Sequence, residues 1–283
     1  RPCSSASRRL RAAPATPPAR AFTTPATPPT LNPVDCSKSF LIGPDGVVGN
    51  YTGAIASSAD EHLTFRGVLG TFAAPCGLTP GTTTSTLSIT RNDAGGSVKA
   101  GWQVVTMDGA TVIGRGVVTI GASASTATGG VGTPFNPATD FIVMSRAGGA
   151  SVAGVEAEYQ VRVDSTSAFQ LTFTRTTAPS TGNHHVDIAY EVVRLQDGGS
   201  VQRGNGTATT GTTIGAAGNL AAIDRSATIP FIWVSGGSGT TNTDLNDTSW
   251  TAEFPSTTQI LLTRTGSSLS AGAAVWFVVS FYK

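Results

Sequence analysis

One short phrase occurs three times in this chain. "WQVV" at 102–105, "YEVV" at 190–193 and "WFVV" at 276–279 share an aromatic-x-Val-Val pattern, and Trp102, Tyr190 and Trp276 stand 88 and 86 residues apart. The match extends upstream. "LSITR" at 87–91, "LTFTR" at 171–175 and "ILLTR" at 260–264 place an arginine 11, 15 and 12 residues before the aromatic. Further upstream lie "SFLI" at 39–42, "DFIVM" at 140–144 and "PFIWV" at 230–234. Downstream, "VIGRG" at 112–116 and "SVQRG" at 200–204 follow at equal spacing, with Ile113 and Val201 each 11 residues after the aromatic. A sequence that repeats itself every ~90 residues must fold as a series of like units, each burying part of its surface on itself or its neighbours.

The units are built of strands. β-Branched and aromatic residues alternate between Gly/Ser/Thr/Asn-rich loops, and no 3.6-residue period persists beyond two turns. In "LSITR", Leu87, Ile89 and Arg91 share one face of a strand. Val192 and Val193 point to opposite faces, so their strand is covered on both sides or sits at a packed edge. The expected fold is all-β: tandem β-sandwich or barrel-like repeats at 36–130, 131–215 and 216–283, behind an extended arm over 1–35. The last strand is expected to pair as a hairpin with "ILLTR", with Trp276 and Phe277 on opposite faces and one of them meeting another unit.

The arm reading rests on composition. Residues 1–34 hold five arginines (Arg1, Arg8, Arg9, Arg11, Arg20), no acid, and eight of the 16 prolines. Proline fixes φ and removes a donor, which favours extended chain over helix. Residues 36–283 carry 13 basic and 16 acidic side chains, so the net charge of +1 conceals a basic arm on a mildly acidic body. Charged residues are 12% of the chain, about half the usual share. That composition is typical of secreted and surface structural proteins. No stretch of about 18 apolar residues is present to span a membrane as a helix. The first residue is Arg rather than Met, which suggests a trimmed product.

The order apolar-x-apolar-Thr-Arg, then aromatic-x-Val-Val, then a Val-x-x-Gly-type strand resembles repeated β units of large bacterial and phage surface proteins. The resemblance covers 37–283. It implies tandem β units displayed at a surface, and no activity. The first copy departs from it: "FLIGPDGVVGNYTG" lacks the long apolar strand of "DFIVMSR".

Residues with chemical potential are sparse. Cys3, Cys36 and Cys76 are an odd set. In a surface protein this suggests one internal bridge, with Cys36 and Cys76 as candidates, and an outward Cys3 able to pair with another chain. Three free or buried thiols are the plain alternative. His184 and His185 lead into a strand and His62 stands alone; none has the partners that acid–base or zinc chemistry needs. "NTDLND" spaces Asn242, Asp244, Asn246 and Asp247 as oxygen ligands for calcium, without the glycine and distal glutamate of an EF-hand. Asn50, Asn205 and Asn246 head Asn-x-Thr triplets. Arg91, Arg175 and Arg264 end equivalent strands, where packing or cross-strand pairing explains them. Asp60, Glu61, Glu156, Glu158 and Glu253 form no recognisable catalytic pair, no catalytic motif occurs, and no cofactor is implied; an enzyme is not expected.

The expected function is structural. The chain reads as a subunit of an extracellular or cell-surface filament, sheath or appendage, a homopolymer joined head-to-tail through its arm. Phe22 and Leu31 are the arm's large apolar anchors and Cys3 its covalent option. The alternatives are a glycan-binding adhesin or phage fibre/decoration protein, and a capsid protein with a basic arm. Five charges diluted among Pro and Ala argue little for nucleic acid.

Overall fold

The computed structural model describes residues 20–22, 30–43, 66–90, 98–100, 102–149, 160–175, 185–208, 213–216, 220–236, 250–264 and 272–281. Among them the chain is all-β, with a single 3-10 turn at Arg225–Ala227. The first strands are β1 (Arg20–Phe22), β2 (Thr30–Asp35), β3 (Ser39–Ile42), β4 (Arg66–Leu69), β5 (Thr83–Thr90), β6 (Val98–Ala100) and β7 (Gln103–Thr106). Then come β8 (Ala110–Ile120), β9 (Thr126–Gly130), β10 (Asp140–Gly149), β11 (Arg162–Ser167), β12 (Gln170–Thr174) and β13 (His185–Leu195). The last are β14 (Ser200–Ala208), β15 (Thr213–Ala216), β16 (Thr228–Gly236), β17 (Trp250–Ser256), β18 (Gln259–Arg264) and β19 (Gly272–Ser280).

The sheets follow one plan. Strands β8 to β13 form two three-stranded sheets, β10-β13-β8 and β11-β12-β9. Strands β14 to β19 form β16-β19-β14 and β17-β18-β15. Each unit thus places its sixth strand between its third and first, and its fifth between its fourth and second. Strands β1 to β7 give β3-β7, β1-β6 and β4-β5-β2, the same plan with the sixth strand broken into β6 and β7. Every pairing is antiparallel.

This pairing divides the chain at 20–106, 110–195 and 200–280 rather than at 36–130, 131–215 and 216–283. The reason is the direction in which "VIGRG" and "SVQRG" bond. Their strands, β8 and β14, pair forward with β13 and β19, not back with the aromatic strand before them. The frame moves upstream accordingly, so the supposed arm yields the first two strands of unit one. Strand β1 pairs with β6, and β2 pairs with β5. The last strand also differs from expectation. β19 takes β14 and β16 as neighbours and leaves "ILLTR" in the opposite sheet. In units two and three the Val-Val strand buries both faces, and a central position covers it: Val192, Val193, Val278 and Val279 are all fully buried.

Face parity then gives the two sides of the sixth strand different partners. The aromatic of the sixth strand points inward, between the sheets of its own unit. Trp276 packs with Ile260 and Leu262, Tyr190 lies against Phe173 at 5.1 Å between centroids, and Trp102 joins Leu41, Leu69 and Leu87. The next residue points outward: Phe277 belongs to the cluster that holds Phe141 and Val143 of the middle unit.

The glycine of the Arg-Gly pair is explained by the same geometry. Gly116 lies opposite Tyr190 and Gly204 opposite Trp276. A Cβ at Gly116 would fall 2.7 Å from the Tyr190 hydroxyl, and one at Gly204 would overlap the Trp276 indole. Gly204→Ala is expected to cost about 1–3 kcal/mol through overpacking, read as a lower midpoint of urea unfolding.

Tyr190 also donates its hydroxyl to the Gly130 carbonyl at 2.9 Å. Burial raises its phenol above the ordinary value, against a smaller opposing effect of that hydrogen bond. The folded state therefore holds the proton longer than the unfolded chain. The resulting stability is complete below the ordinary phenol pKa of about 10 and is lost as pH rises through the folded value. Tyr190→Phe should lose about 0.5–1.5 kcal/mol at neutral pH and show a shallower alkaline decline of the thermal midpoint than wild type.

Candidate assembly interface

The outward faces of the third and sixth strands are where units meet. In the first joint, β4 and β3 of unit one lie on β10 and β13 of unit two; in the second, β11 of unit two lies on β16 and β19 of unit three. The fourth strand of one unit, an edge strand, thus rests on the outer face of the next unit, twice in the same sense.

At the first joint the Gly67 amide donates to Ser145 Oγ at 2.9 Å, and that hydroxyl donates back to the Gly67 carbonyl at 3.2 Å. A single hydroxyl satisfies both backbone polar groups of Gly67, on a strand whose outer edge no further strand covers among the described residues. Arg66, stacked over Phe72 at 4.1 Å, reaches Asp187 at 3.6 Å. Burial lowers the Arg66 pKa from its ordinary value, and Asp187 acts in the opposite direction. Deeper in, Arg115 and Glu191 form a buried pair, Nε to Oε1 at 2.6 Å. Both are fully engaged across the joint. Arg115 also donates to the Cys76 and Ser39 carbonyls at 2.9 and 2.7 Å, while Glu191 Oε2 accepts the Leu41 amide at 2.6 Å.

The second joint uses equivalent positions with different chemistry. Arg162 donates to Ser235 Oγ at 3.1 Å. Arg203, the counterpart of Arg115 in the Arg-Gly pair, reaches Asp164 at 3.6 Å and lies over the Phe135 ring at 5.8 Å. Trp233 Nε1 donates to the Ile142 carbonyl at 3.0 Å. Phe141 links the two joints: its ring is 5.7 Å edge-on from Phe40 and 5.2 Å stacked on Phe231.

The residues singled out from sequence distribute as follows. Cys36 and Cys76 form a disulfide with Cα atoms 6.0 Å apart, and Cys76 offers its carbonyl to Arg115. Phe22 lies on β1 and Leu31 on β2, inside unit one rather than on a free arm; Leu31 packs on Leu41, Leu69 and Leu87. A six-strand unit needs those two strands; within the predicted arm, 1–19 and 23–29 lie outside the described residues. Cys3, His62, His184 and the calcium candidates Asn242, Asp244, Asn246 and Asp247 lie outside the described residues. His185 stands 3.7 Å from Asp187. Arg175 is 1% exposed and spends its guanidinium on the Gly121, Ala122 and Ala124 carbonyls at 2.8–2.9 Å, so it braces a loop. An open groove lined by Pro134, Asn136, Thr139, Arg194, Leu195 and Gln196 contains one cation. That cation is bound by Asp140 at 2.7 and 2.8 Å, which raises the Arg194 pKa. Among the described residues no group of three or more His, Cys, Asp or Glu is placed to hold a metal, and no helix is long and apolar enough to cross a membrane.

Arg115, Glu191, Ser145 and Arg203 escaped the sequence reading. The signal for two of them was present: "GRG" and "QRG" keep an arginine at fixed distance from the repeat's aromatic. Comparison with protein-family models, curated proteins and solved structures finds nothing that matches this chain.

Proposed function

We propose that this chain is a structural subunit of an extracellular or cell-surface filament, sheath or appendage, assembling head-to-tail with copies of itself. The supporting observation is the joint itself. One heterologous contact, edge strand onto outer sheet face, is used at both junctions within the chain, and such a contact propagates unless rotation closes it. The low charge, the disulfide and the Pro/Arg-rich composition of the N-terminal residues fit the same reading. With β1 and β2 paired in the chain's own first unit, the part of the arm left for a neighbour is 1–19, which contains Cys3. Light scattering of the full chain with rising concentration should show polymers, and their shrinkage under reductant would assign Cys3 to a covalent link. A monomer at every concentration would contradict the reading.

A further inference from the structure

Both joints leave a mark at one position of the third strand. By register, Phe40 lies opposite Val105, Phe141 opposite Val193 and Ile229 opposite Val279. These three are equivalent, although sequence alignment matches Phe231 with Phe141; the pairing in unit three is offset by two residues. Phe40 is covered by Phe141, and Phe141 by Phe231, and they are 1% and 0% exposed. Ile229 is 40% exposed. In the same unit, β17 is the edge strand that corresponds to β4 and β11, and its Thr251, Glu253 and Pro255 are exposed. Unit three therefore has the outgoing half of the joint with no unit described against it.

Unit one has the incoming half. The outer face of its third and sixth strands holds Ile42, Gln103 and Val105, all half-buried. Their counterparts Val143, Glu191 and Val193 in unit two are 2%, 5% and 0% exposed. The uncovered outgoing face thus lies on unit three and the half-buried incoming face on unit one.

We propose that unit three of one copy, through Ile229 and the edge of β17, docks on the β3–β7 outer face of unit one of a second copy. This would be a third instance of the joint already made twice. The proposal rests on the structural role above and names its surfaces. The occupant is a second copy because the joint is heterologous, so every unit carries an outgoing and an incoming face that are unlike and complementary. The contact is weaker than the internal joints. Thr251 takes the register position of Arg66 and Arg162, opposite the strand-five threonine, so the basic clamp is missing. Pro255 and Glu253 also restrain an open edge from indiscriminate pairing. Association is accordingly concentration-dependent.

Sedimentation velocity on the full chain tests this with Ile229→Glu and Val105→Glu, plus Gln103→Arg as a milder change on the same face as Val105. Each variant should retain the wild-type circular dichroism spectrum and lose self-association. The decisive sample is an equal mixture of Ile229→Glu with Val105→Glu or Gln103→Arg. Each partner keeps the half that the other has lost, so the mixture should form dimers and nothing larger. Wild-type polymerisation by the single variants would overturn the proposal and leave the structural role intact, pointing to 1–19 instead. A wild-type chain that never associates contradicts both.

Discussion

Glu191→Ala is expected to lower the stability of the protein by about 3–5 kcal/mol, because it leaves the Arg115 charge buried without its partner. The pair is almost sealed from water, with side chains 1% and 7% exposed. Three further groups depend on it: the carbonyls of Ser39 and Cys76, and the amide of Leu41. Removing Glu191 orphans that amide as well, adding to the loss. Since the contacts span units one and two, the effect should concentrate there: protease cleavage within unit one should rise more than cleavage within unit three. Arg115→Met combined with Glu191→Leu should recover only part of the loss. The combination removes the buried charges but leaves two carbonyls and one amide without partners. Urea unfolding of the wild type, Glu191→Ala and the double variant measures this directly, and full recovery in the double variant would show that the backbone contacts contribute nothing.

Phe141→Ala should cost a similar amount, about 3–5 kcal/mol, by a different route. The fully buried ring lies between Phe40 and Phe231, so truncation opens a cavity where both joints meet. In a chain of stacked units, stability combines the stability of each unit with that of the interfaces. Loosening both interfaces at once should split a cooperative thermal transition into resolved steps. Phe141→Leu, which fills most of the space, should keep a single transition at a lower midpoint. A single sharp transition in Phe141→Ala, shifted but unsplit, would mean that the joints do not govern cooperativity.

The sequence carried the strand content because it rests on local pattern. Alternation marks strands, and an aromatic-x-Val-Val phrase is visible wherever it recurs. It also limited the Val-Val strand to one covered on both sides or sitting at a packed edge, since adjacent residues of a strand necessarily face opposite ways. The frame of the repeat was not legible. Whether "VIGRG" closes one unit or opens the next depends on a hydrogen-bonding partner more than 70 residues away: Arg115 lies opposite Glu191. The same ambiguity made β1 and β2 read as a free arm, because a Pro-rich segment is extended both alone and inside a sheet. The two-residue offset that makes Ile229 the counterpart of Phe141 was hidden for a related reason. "PFIWV" and "DFIVM" match by eye, and only pairing with the sixth strand fixes which face each residue takes. The joint chemistry was partly visible as the recurrent Arg-Gly pair, but Ser145 and Glu191 have no local signature.

The most direct test of the structural role is negative-stain electron microscopy of the full chain at high concentration. The account predicts filaments of uniform width in which one subunit repeats along the axis, thinning to single particles on dilution. A field of discrete particles at every concentration would contradict it.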